Sequence, residues 1–248
     1  MKMENNNMNI LLTNDDGIKS EGIKILAEKI SKYHDIYICA PEKENTGMSG
    51  ALTFSDSIKI KKFSLNCGEK DSYYVTGTPA DSVIMGLDHV YKNIKFDIVL
   101  SGINDEPNIG DDIRYSGTVG AAFEAAFSGY PAIALSLEYG NTKYYNSIIN
   151  VLIKILNKKH IPKGTILNIN SPNKPDYQIK GEKYVKLGRR RYSNRIRQKN
   201  KDEYIIYGDL IEEKNDSNTD NYYIQKDYIT ITPLKIDNTD YNFLKNNK

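Results

Sequence analysis

Two adjacent carboxylates, Asp15 and Asp16, are the residues whose types and spacing most directly suggest chemistry. They follow the apolar residues 10–12, which predict a strand, and precede Gly17 and an amphipathic segment that predicts a helix. Two ionised carboxylates on a tight turn repel each other, so that a divalent cation or several donors must compensate them. The alternative is a solvated turn in which an Asp caps the following helix. This stretch alone leaves both interpretations open.

Further oxygen-bearing side chains follow the next predicted strands. Because ligands of an open α/β sheet bind outside the carboxyl ends of its strands, we expect these side chains to converge. The set contains no His or Cys, which favours Mg, Mn or Ca over structural zinc. We interpret His34, His89 and His160 as structural or solvated. The converging residues are Asn45, Thr46 and Ser49 after the second strand, and Ser101, Asn104, Asn108, Asp111 and Asp112 after the strand at residues 96–100.

A glycine-rich turn at residues 115–122, YSGTVGAA, leads into another predicted helix. Free N–H groups and the positive end of the helix dipole make such a turn an anion site, which suits a phosphate. Alternatively, Gly117 and Gly120 only allow close packing of the helix. A metal next to an anion site is the equipment for hydrolysing a phosphate ester.

The surrounding elements predict an α/β fold. Strands alternate with helices, which favours a parallel, doubly wound sheet. A β-excursion is expected at about residues 51–76. Beyond residue 172 the pattern changes to strands without long helices, so we expect a catalytic core at 8–172 and a β-rich C-terminal extension at 173–248. Predicted strands cover 10–13, 35–40, 96–100, 132–136, 165–169, 177–187, 203–207 and 227–232, and predicted helices cover 21–33, 78–91, 118–128 and 144–156.

Composition excludes several other classes. The 248 residues are 39% hydrophobic and 27% charged with a net charge of +2, which does not suggest a nucleic-acid or membrane surface. Cys39 and Cys67 are far apart, so we predict no disulfide framework. No apolar run is long enough to span a membrane, and the N-terminal MKMENNN lacks the apolar core of a signal peptide. We therefore expect a cytoplasmic protein.

Several motifs together resemble one known family. In chain order they are ILLTNDDGIKSEGIKIL, APEKENTGMSGALT, VTGTPADSV, SGINDEPNIGDDIRYSGTVGAAFEAAFSGYPAIALS and ITITPLKIDNTD. Between about residues 10 and 240 the sequence resembles the SurE family, the survival-protein E metal-dependent 5'-nucleotidases. The resemblance implies a Rossmann-like core, one divalent metal ion (Mg or Mn), a cytoplasmic location and hydrolysis of nucleoside 5'- and 3'-monophosphates, with polyphosphate a further substrate of some members. It also implies a homodimer or homotetramer that exchanges C-terminal extensions.

By position, the resemblance implies metal ligation by Asp15, Asp16, Thr46 and Asn104. It implies phosphate binding by Ser116, Gly117 and Thr118, and a contact from Asn108 to phosphate or metal-bound water. Three departures stand out: Thr46 where the family usually has Ser, Glu106 where it has Gly, and Asn45 where relatives often have Arg. Glu106 could repel substrate, provide another metal contact or face solvent.

The basic stretch at residues 188–201, GRRRYSNRIRQKNK, allows three interpretations. It could bind nucleic acid, form a solvated β-arm or oligomer contact, or overhang the site and attract nucleotide or polyphosphate. The near-neutral total charge favours the arm over nucleic acid.

The sequence therefore predicts a metal-dependent phosphomonoesterase acting on nucleoside monophosphates, in which Asp15 or Asp16 accepts the proton of the attacking water. A non-catalytic nucleotide-binding regulator is the alternative, since Glu106 and Asn45 could weaken turnover. A receiver-type signalling module would need an Asp ending the strand that here ends at Leu100-Ser101-Gly102.

Overall fold

The computed structural model describes residues 7–158, 161–193, 195–211 and 216–246. His160, interpreted above as structural, lies outside these residues. The secondary-structure elements place polar residues at one end of a central sheet.

Thirteen strands lie within the described residues. Nine of them form one sheet: β1 Asn9–Thr13, β2 Asp35–Pro41, β3 Ile60–Lys62, β4 Asp71–Val75, β5 Ile98–Asn104, β6 Ala132–Leu137, β7 Thr165–Ser171, β8 Glu182–Tyr184 and β13 Ile229–Lys235. Four short strands form two separate antiparallel pairs: β9 Arg191–Tyr192 with β12 Leu210–Ile211, and β10 Arg195–Gln198 with β11 Tyr204–Tyr207. We call residues 191–211 the arm.

The sheet order is β3-β4-β2-β1-β5-β6-β7-β13-β8. Strands β4, β2, β1, β5, β6 and β7 are parallel to their neighbours in this series, whereas β3 and β13 run antiparallel to β4 and β7. The predicted mainly parallel α/β sheet is confirmed.

Helices cover both faces of this sheet. The described helices are α1 Glu21–Ile30, α2 Pro79–Ile84, α3 Gly117–Phe127, α4 Asn146–Lys158, α5 Asp220–Ile224 and α6 Tyr241–Asn246. Ile10 and Leu12 pack in a core with residues of α1 and α4, whereas Leu11 packs on the opposite face with residues of α2 and α3. Successive strand residues point to opposite faces, so a central parallel strand must be apolar throughout.

The helix predicted at 78–91 begins at the expected signal. The Thr78 hydroxyl accepts from the Asp81 N–H, and the Asp81 carboxylate accepts from the Thr78 N–H, which forms a capping box. The α-helix ends at Ile84, and the segment Met85–Val90 continues it as a π-helix. The helix therefore starts as predicted and changes its hydrogen-bonding pattern halfway.

The chain beyond residue 172 returns to the sheet. Strand β13 pairs with β7 and with β8, so the sheet extends across the predicted division at residue 172, and that division stays a prediction. The strand expected over 177–187 is limited to Glu182–Tyr184 and follows a 3₁₀ turn at Asp176–Gln178. Helices α5 and α6 are five and six residues long, too short to give a periodic signal.

The strand order reverses at β1. The chain passes from β1 to β2 on one side, while β5 and the later strands lie on the other. A crevice forms at such a point outside the carboxyl ends of the two strands, and it is where ligands bind in open α/β sheets. Within the described ranges, no helix is long and apolar enough to cross a membrane.

Candidate active site

A cavity of about 450 Å³ lies at this crevice between β1 and β5. The structure places six of the eight predicted site residues in its lining: Asp15, Asp16, Thr46, Asn104, Asn108 and Ser116. The other two, Gly117 and Thr118, lie directly behind Asp15.

The turn after β1 is shaped by Asn14 and Gly17. The Asn14 Nδ2 donates to the Gly17 carbonyl at 2.9 Å and to the Ser20 Oγ at 2.8 Å, and Gly17 has a φ of +92° that favours glycine. Helix α1 has Ser20 as its N-cap residue. The alternative that an Asp of this turn caps the helix is therefore wrong.

Asp15 is 4% exposed and packed against the start of α3. The Thr118 hydroxyl donates to the Asp15 Oδ1. Burial raises the pKa of Asp15, and hydrogen bonds from Thr118 and from the backbone of Gly117 oppose that rise. A Cβ on Gly117 would lie 2.8 Å from the Asp15 Cβ, closer than such atoms approach. The anion that contacts the first turn of α3 is thus the carboxylate of Asp15.

Asp16 is less enclosed and faces other carboxylates. Burial, followed by the negative charges of Asp15, Asp105 and Glu44, raises its pKa to about 7, while Lys143 acts in the opposite direction. Lys143 itself pairs with Asp105 at 3.2 Å. This concentration of negative charge is the environment that a divalent cation stabilises.

Asn104 reaches the cavity because β5 carries a bulge. The register between β5 and β6 shifts between Ser101 and Asn104, and a Cβ on Gly102 would lie 2.3 Å from the Leu135 carbonyl oxygen. The Asn104 Nδ2 donates to the Glu106 carbonyl at 2.7 Å, so that its Oδ1 is the atom suited to a cation.

Thr46 lies on a loop that is hydrogen-bonded to the turn after β1 and packs against helix α3. The Asn45 N–H donates to the Asp15 carbonyl at 2.7 Å, and a Cβ on Gly120 would lie 2.1 Å from the Ser49 carbonyl oxygen. The Thr46 hydroxyl donates to the Glu44 Oε1 at 2.6 Å, which leaves its lone pairs for a cation. Of the two interpretations of Gly117 and Gly120, close packing describes their contacts.

Asn108 is 7% exposed and fixed from three sides. Its N–H donates to the Asn170 Oδ1 at 2.7 Å, its carbonyl accepts from the Asn168 Nδ2 at 2.7 Å, and its Nδ2 donates to the Ser136 Oγ at 2.8 Å. Ser136, Asn168 and Asn170 were not predicted. The signal that could have found them is the polar side chains within the otherwise apolar strands β6 and β7.

Other residues at the cavity were missed or misplaced by the prediction. Glu44, Asp105, Tyr139 and Tyr192 line it without having been assigned to the site, and Glu106 lines it as an exposed residue. Of the two adjacent carboxylates that were predicted to converge on the site, Asp112 lines the cavity and Asp111 does not. Asp111 instead pairs with Arg189 at 3.2 Å, and the Asn45 side chain donates to the Lys43 carbonyl.

The residues present fit a hard divalent cation. Two carboxylates, a hydroxyl and an amide oxygen line one cavity, and an excess of negative charge surrounds them. Over the part of the chain that the structure describes, no three His, Cys, Asp or Glu side chains group at a metal-binding separation. The Thr46 hydroxyl and the Asn104 amide oxygen complete the donor set that Asp15 and Asp16 begin. The fold and the site define an α/β protein with an oxygen-lined site at its topological switch point.

Comparisons with known proteins identify the family. The family model described as survival protein SurE matches residues 10–194. The 5'-nucleotidase SurE of Petrotoga mobilis is 40% identical over 249 residues, covering 96% of each chain, and that of Clostridium beijerinckii is 40% identical over 254 residues with the same coverage. The crystal structure of the SurE protein from Aquifex aeolicus superposes with a TM-score of 0.82 at 34% identity, covering 96% of this chain and 97% of that one.

The chain belongs to the SurE family. The resemblance inferred from the motifs is thereby confirmed.

Proposed function

We propose that this protein is a metal-dependent 5'-nucleotidase that hydrolyses nucleoside monophosphates to nucleoside and phosphate. The observation that carries the proposal is that Asp15, Asp16, Thr46 and Asn104 lie in one cavity at the switch point of the sheet. The relatives named 5'-nucleotidase SurE support it over almost the whole chain. No observation favours the regulator without catalysis.

Asp15, Asp16, Thr46 and Asn104 would hold one divalent ion, Mg or Mn. When bound, this ion neutralises phosphate charge and makes water a stronger acid. Asp15 is held by Thr118, whereas Asp16 accepts no hydrogen bond from another side chain in the described structure and is partly exposed. Of the two carboxylates, Asp16 is therefore the one free to accept a proton from the attacking water.

Ser116 and Asn108 are the proposed phosphate contacts that line the cavity. The Ser116 Oγ accepts from the Val119 N–H at 3.0 Å, so that its own proton remains available for a phosphate oxygen. Gly117 and Thr118 contribute through Asp15, whose position they fix. The finer substrate assignments, 3'-monophosphates and short polyphosphate, are part of this proposal.

We also propose that the chain forms a homodimer or homotetramer through its C-terminal region, residues 173–248. The arm exposes apolar side chains on its strands β10 and β11: Ile196 is 71% exposed, Ile206 is 79% exposed and Tyr204 is 61% exposed. Apolar side chains exposed in such a row are typical of a surface that is covered in an assembly.

The test of the proposed activity is phosphate release from a panel of 5'- and 3'-nucleoside monophosphates. Protein stripped of metal with a chelator is compared with the same protein given Mg or Mn. Asp16→Asn should lower the metal-restored rate at least about 100-fold, because it removes a carboxylate from the donor set. The matched control is Asp88→Asn, because Asp88 is exposed and does not line the cavity; this variant should keep the wild-type rate. Undiminished metal-dependent turnover by Asp16→Asn would overturn the assignment.

A further inference from the structure

A second cavity, of about 600 Å³, adjoins the candidate active site and has the opposite charge. Arg114, Arg189, Arg190 and Arg191 line it, together with one carboxylate, Asp111. The lining of the candidate active site, in contrast, contains six carboxylates and, among the residues that the structure describes, no Lys or Arg. The two cavities therefore attract opposite charges.

The guanidinium groups of this second cavity, which we call the arginine cavity, differ in their ion pairing. Arg189 pairs with Asp111 at 3.2 Å, and the Arg190 Nε lies 2.8 Å from the Asp112 Oδ2. Both of these arginines therefore have a carboxylate partner. Arg114 is exposed and makes no ion pair with another described residue. Guanidinium groups arranged in this way bind phosphate with bidentate hydrogen bonds.

Two tyrosines belong to both cavities and separate them. Tyr115 is 67% exposed, and Tyr192 is 38% exposed. The Tyr192 hydroxyl donates to the Asp112 Oδ2 at 3.1 Å and accepts from the Arg190 Nε at 3.1 Å, which fixes the ring of Tyr192. An exposed ring and a fixed ring between the acidic cavity and the arginine cavity form a surface on which a nucleobase or a ribose can pack.

We propose that the arginine cavity binds a second phosphate group of a nucleotide whose scissile phosphate lies in the candidate active site. The nucleoside contacts Tyr115 and Tyr192 between the two cavities. The preferred substrates are then nucleotides with two separate phosphates, such as a nucleoside 3',5'-bisphosphate. This inference rests on the proposed function, because it assumes that a phosphomonoester binds at the acidic cavity.

The test compares adenosine 3',5'-bisphosphate with 5'-AMP on the full-length protein. KM is measured with Mn, and affinity is measured by isothermal titration in chelator, where turnover does not occur. Arg114→Gln should raise the KM and the dissociation constant of the bisphosphate about 5- to 10-fold, since it removes one charged contact. The KM for 5'-AMP should change less than about twofold. Arg195→Gln, an exposed arginine of the arm that pairs with Asp209, is the matched control.

The outcomes separate the inference from the proposed function. If 5'-AMP is hydrolysed but the bisphosphate binds no more tightly than 5'-AMP, the inference is overturned and the proposed function stands. The same conclusion follows if Arg114→Gln leaves the dissociation constant of the bisphosphate unchanged. An equal effect of Arg195→Gln would also overturn it, since general attraction by the arm would then explain the binding. If neither nucleotide is hydrolysed with any metal, the proposed function fails, while binding that depends on Arg114 in chelator would still support the second site.

A third probe, tripolyphosphate, distinguishes a nucleotide from a phosphate chain. Tyr115→Leu should weaken the bisphosphate about 3- to 10-fold and leave tripolyphosphate unchanged, because only the nucleotide has a base to stack. Tripolyphosphate binding as tight as that of the bisphosphate, with no effect of Tyr115→Leu on either, would overturn the assignment to nucleotides.

Discussion

Asp16→Asn should stabilise the metal-free protein, although it removes a residue of the proposed active site. The carboxylate of Asp16 lies near those of Asp15, Asp105 and Glu44, and Lys143 offsets them only in part. Replacing it with the similarly shaped amide removes this repulsion and keeps the side-chain volume. Without a cation, the charge of Asp16 works against folding.

The size of this effect follows from the pKa of Asp16, which burial and the neighbouring carboxylates raise from 3.8 to about 7. At about 1.4 kcal/mol per pH unit, that interval gives a ceiling of about 4 kcal/mol. Because the side chain is partly exposed and water screens its charge, we expect about 1–2 kcal/mol, or about 3–6 °C in Tm. A raised folded-state pKa means that the folded protein retains the proton longer than the unfolded chain. Metal-free stability therefore falls as pH rises from about 4 through about 7.

Thermal unfolding in chelator at pH 5 and pH 8, with and without Mn, measures this effect. Asp16→Asn should have a higher Tm than the wild type at pH 8, a smaller difference at pH 5 and little response to Mn. Asp35→Asn is the control, because its carboxylate pairs with Lys70 at 3.0 Å and its removal should not stabilise the fold. A Tm of Asp16→Asn at or below that of the wild type in chelator, or an undiminished response to Mn, would refute the electrostatic reasoning.

Two further substitutions test the supporting structure. Gly117→Ala places a Cβ 2.8 Å from the Asp15 Cβ, so turnover should fall at least about 10-fold and the free energy of unfolding should fall by about 1–3 kcal/mol. Gly50→Ala is the control, because a Cβ on Gly50 meets no atom within 4 Å and should leave both quantities unchanged. Equal rates for the two alanine variants would contradict the packing of Asp15 on α3. Burial lowers the pKa of His34 below 6.5, so its contribution to stability is present above pH 6.5 and is lost as pH falls below that value. His34→Gln should flatten this part of a urea-unfolding series between pH 5 and 8, and an unchanged slope would show that other groups cause it.

The sequence predicted the central sheet and the position of the site because both depend on local patterns. Each of three apolar runs is followed within a few residues by a polar residue: Asp15, Asn45 or Asn104. This pattern places polar groups at the carboxyl ends of neighbouring strands and does not depend on the loop conformations. The end of β5 was predicted too early, at Leu100. Ser101 and Gly102 look like a loop in sequence, although the strand continues through a bulge to Asn104.

The contacts that could not be predicted join distant parts of the chain. A glycine-rich helix start offers N–H groups to any anion, and nothing in its sequence says that Asp15, about a hundred residues earlier, is the anion that contacts Thr118. Tyr192 reaches the cavity only because the base of the arm packs beside Asp112. Glu106 was recognised as a departure from the family, and only the structure shows that it lines the cavity.

The most direct test of the proposed metal site is the position of Mn in a crystal of the wild-type protein, located by anomalous diffraction. We expect one peak, ligated by oxygens of Asp15, Asp16, Thr46 and Asn104. A peak bound instead by Asp105 and Glu106 without Thr46 and Asn104, or no peak in the cavity at a Mn concentration that supports turnover, would contradict the proposed site.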